Sequence, residues 1–173
     1  MGNNLPFKPW DRVIELGGGD KPRFRPNVDV RWVPFVDIIA DFNHELPIQS
    51  EFYDGVYCQY CLEHLSWRRV GVFLHSVHRI LKPGGIAVFI TANLLEQARR
   101  LVEAKEWDDK LVSMVFGDQD YEANTHRAGF SPEYAQGLFK EAGFYRVEIS
   151  PLPECATDMV IIAWKSKAEV RVG

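Results

Sequence analysis

The segment Arg12-Val-Ile-Glu-Leu16, running straight into Gly17-Gly18-Gly19-Asp20, constrains this chain more than any other part of it. A short apolar run that stops at glycines is how a buried strand ending in a tight loop is written, because glycine lets the backbone turn where a side chain forbids it. Pro22 and Pro26 follow so closely that any helix after the loop must be very short or replaced by irregular chain. Asn27-Val-Asp-Val30 reads as a second strand, Phe35 to Ala40 as a third, and Asp54-Gly-Val-Tyr-Cys-Gln59 as a fourth.

From Ser66 the period changes. Val70, Phe73, Leu74, Val77, Ile80 and Leu81 recur at three- and four-residue steps, which predicts an amphipathic helix with Ser66 as its N-cap. His75 and His78 fall off the apolar stripe and are expected to face solvent; His44 is expected in a loop. Lys82-Pro-Gly-Gly85 stops the helix and turns the chain into a fifth strand, Ile86 to Ile90, completing a βαβ crossover. A helix is expected over 94–102, and the weakly patterned stretch through Phe130 carries no assignment. Ser131-Pro132-Glu133 has the cap, first-turn proline and early acid of a helix start, with Gly143 marking its end. Tyr145 to Ile149 and Met159 to Trp164 add two strands. The expected fold is α/β: a single Rossmann-like domain over 1–165, with a mostly parallel twisted sheet of about seven strands. The last strand is antiparallel, helices lie on both faces, and the first helix is short or absent. Residues 166–173 form a polar flexible tail.

Composition agrees with one domain: 173 residues, 46% of them hydrophobic, can bury a real core. The net charge of -4 argues against a broad basic surface, so neither nucleic acid nor an anionic membrane is an expected partner. Met1 to Trp10 holds no apolar core of a leader, and no run approaches the roughly 18 apolar residues that span a bilayer. Three cysteines, Cys58, Cys61 and Cys155, form no disulfide framework, so a cytoplasmic protein is expected. Cys58 and Cys61 are a lone pair without further zinc-spaced ligands, and no metal site is expected.

Val13-Ile-Glu-Leu-Gly-Gly-Gly-Asp20 resembles the glycine-rich first motif of class I S-adenosylmethionine-dependent methyltransferases. The likeness continues through Asn27-Val-Asp29, Val36-Asp-Ile-Ile-Ala-Asp41, Leu46-Pro47, Asp54 to Gln59, Leu62-Glu-His-Leu65 and Arg79-Ile-Leu-Lys-Pro-Gly-Gly85. In order and spacing this resembles the small UbiE-like, methyltransferase type 11-like branch, over roughly the first half of the chain. The rival reading, a nicotinamide dinucleotide site, asks for G-x-G-x-x-G, and Pro22 stands at its third glycine.

The resemblance implies S-adenosylmethionine as cofactor and assigns its contacts. Gly17, Gly18 and Gly19 bring backbone close to it, and Glu15 organises the loop around its methionine end. Asp29 accepts from the ribose hydroxyls and Asp41 from the adenine amino group. Phe42 offers a backbone N–H and a ring wall, while Cys58 and Gln59 make backbone contacts to the methionine part. Glu63 and His64 come close to the pocket rim. Counting about 20 residues past the glycines favours Asp37 for the ribose; the missing first helix shortens the interval and favours Asp29. Cys58-Gln59 lacks the preceding proline of cytosine-C5 enzymes, and no N-P-P-Y motif follows the fourth strand.

Methyl transfer from a sulfonium needs alignment above all, and a base only where the acceptor must lose a proton. His126, in the polar and aromatic stretch 116–131, is the candidate base. The expected activity is methyl transfer to a small-molecule or glycan-like acceptor; the alternative is a cofactor-binding domain that serves as an inactive partner or scaffold.

Overall fold

The computed structural model describes residues 5–167; most of the expected tail lies outside them. The strands are β1 (Val13–Leu16), β2 (Asn27–Asp29), β3 (Ile38–Ile39), β4 (Tyr53–Gln59), β5 (Leu81–Ala92), β6 (Arg146–Leu152) and β7 (Cys155–Trp164). The helices are α1 (Val70–Ile80), α2 (Leu94–Glu103), α3 (Asp109–Phe116) and α4 (Pro132–Glu141). The sheet runs β3-β2-β1-β4-β5-β7-β6, parallel throughout except that β7 is antiparallel to both its neighbours. The order reverses between β1 and β4, and ligands of such sheets sit beyond the strand ends at that reversal.

One face carries the main core. Phe73, Leu74, Val77 and Ile80 of α1 and Ala135 and Phe139 of α4 pack on Ile14, Leu16, Val56, Phe89 and Ile161. Fully burying each large apolar side chain contributes about 1.5–3 kcal/mol, so α1 and α4 hold this side firmly. Strand alternation sends Val13, Tyr57, Val88, Ile90 and Val160 to the other face, where they meet Leu5, Phe7 and Phe24. No helix forms between β1 and β2, as the prolines require. Glu15 does part of what the missing helix would do, because its carboxylate accepts the Arg23 and Phe24 N–H groups at 2.5 and 2.6 Å. This seats the Phe24 ring 5.4 Å from Tyr57. Burial raises the Glu15 carboxyl above its ordinary range, and those two backbone donors oppose the rise.

Several boundaries differ from expectation. Ser66 does not cap α1; Arg69 stands at the cap, and Ser66 opens a preceding turn with its N–H on Asn43 Oδ1. The third strand shrinks to two residues because it pairs only with β2. His78 is half-buried, its ring edge-on to Phe144 at 5.2 Å, because α4 leads the chain back across α1. Ser131 does cap α4, accepting the Tyr134 N–H. The unassigned stretch contains α3, capped by Asp108. Asn93 pairs with Phe130, so 94–129 is an excursion whose two ends meet at the end of β5. Among the described residues no helix is long and apolar enough to cross a membrane.

Candidate active site

The loops after β1 and β4 face each other at the sheet's reversal. Gly17 has φ +79°, and a Cβ there would lie 2.6 Å from Cys61 Cβ and Sγ. Only glycine allows this closeness and this backbone together. Next to it opens a cavity of about 460 Å3, within the usual range for small-molecule sites. Of the residues singled out from sequence, Gly17, Asp29, Asp41, Phe42 and His64 line it.

Asp29 is buried and tightly held: Oδ2 accepts the Gly19 N–H at 3.0 Å, and Oδ1 accepts the Arg31 N–H at 2.9 Å and Nε at 3.3 Å. A carboxylate accepts about four bonds, so one position remains for a ligand hydroxyl. Asp37 is elsewhere, accepting from Arg25 and the Asn27 N–H at the start of β2. Asp41 is more open. Burial pushes its carboxyl up, but the Asn43 backbone and side-chain donors and the nearby His44 outweigh this and hold it below the ordinary value. Phe42 stacks on Phe73 at 5.1 Å and lines the cavity.

The remaining predicted residues support rather than line. Gly18 and Gly19 spend their N–H groups on Asn27 and Asp29, and Glu15 holds the loop from below. Cys58 is fully buried, which drives its thiol up, with Cys61 adding to the rise. Gln59 accepts the Tyr57 hydroxyl at 2.6 Å. Neither Cys58 nor Gln59 reaches a cavity wall; the next residues, Tyr60 and Cys61, do. Tyr60 has φ +49°, a left-handed turn that sequence does not announce for tyrosine. Arg31, Tyr121 and Arg127 also line the cavity without any motif that points to them. The Arg31 guanidinium lies 4.7 Å over the Tyr121 ring, tying the excursion to β2 across the cavity.

A second cavity of about 250 Å3 adjoins the first, and Tyr60, His64 and Asn124 line both. Its wall holds Glu63, His126, Asp118 and Asp158. The Tyr60 hydroxyl donates to Asp158 at 2.8 Å. Glu63 is fully buried, and burial lifts its carboxyl to about 7 against the opposing donors, its own N–H and the Thr91 hydroxyl foremost. The His64 and His126 rings meet edge-to-face at 4.9 Å. Burial lowers both imidazoles, with backbone carbonyls pulling the other way. The candidate base therefore sits in this second cavity and outside the first.

A seven-stranded sheet in this order, with a glycine turn and two carboxylates at its reversal, defines a class I methyltransferase architecture. A family model described as a methyltransferase domain matches residues 4–149. The chain belongs to that family, whose cofactor is S-adenosylmethionine. Solved structures similar to it include a Thermotoga maritima S-adenosylmethionine-dependent methyltransferase described as a possible histamine N-methyltransferase. That protein is 19% identical, with 92% of this chain and 84% of that one covered and a TM-score of 0.67. An Archaeoglobus fulgidus S-adenosylmethionine-dependent methyltransferase is 17% identical, with coverage of 92% and 88% and a TM-score of 0.67. A Haemonchus contortus phosphoethanolamine N-methyltransferase, solved with S-adenosylmethionine, is 13% identical; the match covers 94% of this chain and 50% of that one, with a TM-score of 0.64. No curated protein matches the sequence.

Proposed function

We propose that the chain transfers a methyl group from S-adenosylmethionine in the larger cavity to a small-molecule or glycan-like acceptor in the smaller one. The observation that carries this reading is the shared wall of Tyr60, His64 and Asn124, which sets the two chambers side by side. Bound S-adenosylmethionine supplies a methyl group on a sulfonium, an excellent leaving group. The residues do the rest. Asp29 has one accepting position left for a ribose hydroxyl, and Asp41, half-exposed, accepts from an amino group. The Gly17 turn leaves room for backbone contact. His126 takes the proton of a hydroxyl acceptor, and the half-closed chamber around it holds acceptor and methyl group in line.

The acidic groups of the second chamber and the net charge of -4 favour a neutral or cationic small acceptor over nucleic acid. Three free thiols fit work in the reducing cytoplasm. Calorimetry with S-adenosylmethionine, followed by detection of S-adenosylhomocysteine with a panel of hydroxylated acceptors and short glycans, tests the reading. Absence of both heat and thermal stabilisation defeats it. Binding without turnover on any acceptor leaves an inactive cofactor-binding partner.

A further inference from the structure

Glu63, His64 and His126 bring a carboxylate oxygen and two ring nitrogens within 4.8 Å of one another. Methyl transfer as proposed above needs at most one of them as a base, so the convergence of all three calls for its own explanation. Their surroundings are those of ligands. His64 Nδ1 lies 3.2 Å from the Thr125 carbonyl oxygen, a contact that requires the proton on Nδ1 and leaves the Nε2 lone pair free. The backbone of Val115 and Met114 beside the His126 ring favours its protonated form against burial. Backbone carbonyls on the far ring nitrogen are what orient metal-binding imidazoles. The Glu63 carboxylate accepts the Thr91 hydroxyl on Oε2 at 2.8 Å, and the neighbouring backbone of Glu63 and Ala92 works against the rise that burial causes. With about four accepting positions on a carboxylate, a lone pair remains for a cation. Asp158 and Asp118 line the same chamber, so with neutral imidazoles the wall is net negative.

We propose that Glu63, His64 and His126 bind a divalent first-row transition-metal cation of the zinc type, with its open coordination positions facing the smaller cavity. Two imidazoles and one carboxylate suit zinc, iron or cobalt, whereas magnesium and calcium prefer all-oxygen sites. Zinc at about 2.0–2.2 Å from each ligand spaces tetrahedral ligand atoms roughly 3.4 Å apart, so side-chain rotations of about an ångström close the cluster. Three protein ligands with a vacant position are the pattern of catalytic rather than structural zinc. The site itself is independent of the methyl-transfer reading; its consequence rests on that reading. A hydroxyl acceptor bound to the cation is acidified by the metal's charge. The hydroxyl proton then passes to water, and the His126 lone pair serves as a ligand in place of the base role given to it above.

The full chain, stripped with chelator and dialysed against Zn2+, Co2+, Mg2+ or Ca2+ near neutral pH, gives the test. The expected result is one Zn2+ or Co2+ per chain, no uptake of Mg2+ or Ca2+, and binding weakened at least about tenfold in Glu63→Gln, His64→Gln and His126→Gln. His75→Gln, on an exposed part of α1, serves as the control that binds normally. Ring 15N NMR of the unmutated protein should show two histidines shifting on Zn2+ addition, a reading that survives if a variant fails to fold. Substoichiometric uptake, equal binding in the three folded variants, or a sulfur-to-cobalt charge-transfer band implicating Cys58 and Cys61 overturns the proposal. Separate titration with S-adenosylmethionine keeps the two readings apart: cofactor bound without metal defeats only the site, and metal bound without cofactor heat defeats only the methyl-transfer reading.

Discussion

The larger cavity is walled on one side by strand-end residues, Gly17, Asp29 and Asp41, whereas the smaller takes Ser113, Met114, Asp118 and His126 from the excursion between β5 and β6. The first set is placed by the sheet: β1, β2 and β3 end side by side, and each delivers one residue to the same edge. The second set is placed by a pinned detour, in which Asn93 meets Phe130 and the intervening α2 packs against α3 and β7. The sheet thus supplies most of the larger chamber and the excursion most of the smaller, so a change in either should read out on different quantities.

The largest expected effect separates them by kinetics. His126→Gln should lower turnover by about 10²–10⁴-fold while calorimetric affinity for S-adenosylmethionine stays as in the parent; a matching loss of affinity would merge the chambers. Next comes Gly17→Ala. A left-handed backbone for alanine and a Cβ driven into Cys61 together cost about 2–5 kcal/mol, read as a fall in the urea midpoint with weakened cofactor binding. Asp29→Ala should weaken S-adenosylmethionine binding by about 1–3 kcal/mol and leave Zn2+ uptake untouched; unchanged cofactor affinity would move the ribose role away from Asp29. The smallest effect lies under both chambers. The folded Glu15 carboxyl titrates above its ordinary 4.5, with burial the chief cause. The folded chain therefore holds that proton more tightly than the unfolded one, and stability from this group is present below 4.5 and lost as pH rises through the folded value. Glu15→Gln should flatten urea stability against pH as the pH rises above 4.5; an unaltered slope would show that the burial of Glu15 carries no linkage.

The difference between the chambers also governs what is legible in the sequence. Strands β1, β2 and β4 and helix α1 can be read because short strand-like runs bounded by turn residues and a 3.6-residue stripe are local signals, and Asp29 is singled out by the resemblance to the family's motif order. Asp29, Asp41 and Gly17 come together as the motif order implies. The excursion is not legible: α3 is short and buries none of its residues, so nothing in the core marks its place. His126 is singled out by chemistry alone. Its meeting with Glu63 and His64 follows from Arg127 and Ala128 donating to the Glu63 carbonyl, a long-range pairing with no periodic trace. Tyr60 escapes notice because a left-handed tyrosine is set by its surroundings and not by its own propensity.

The covering of the second sheet face has a practical corollary. Phe7 lies so close on Gly55 that a Cβ there would be 2.6 Å from its ring, so the leading segment is a lid of side chains on β4 rather than an appendage. Cutting the gene at the first strand would strip Leu5 and Phe7 from Val13, Tyr57 and Val88, baring a contiguous oily plane of the kind that drives self-association. Anyone choosing expression boundaries or fusing a tag should leave several residues of slack ahead of Leu5.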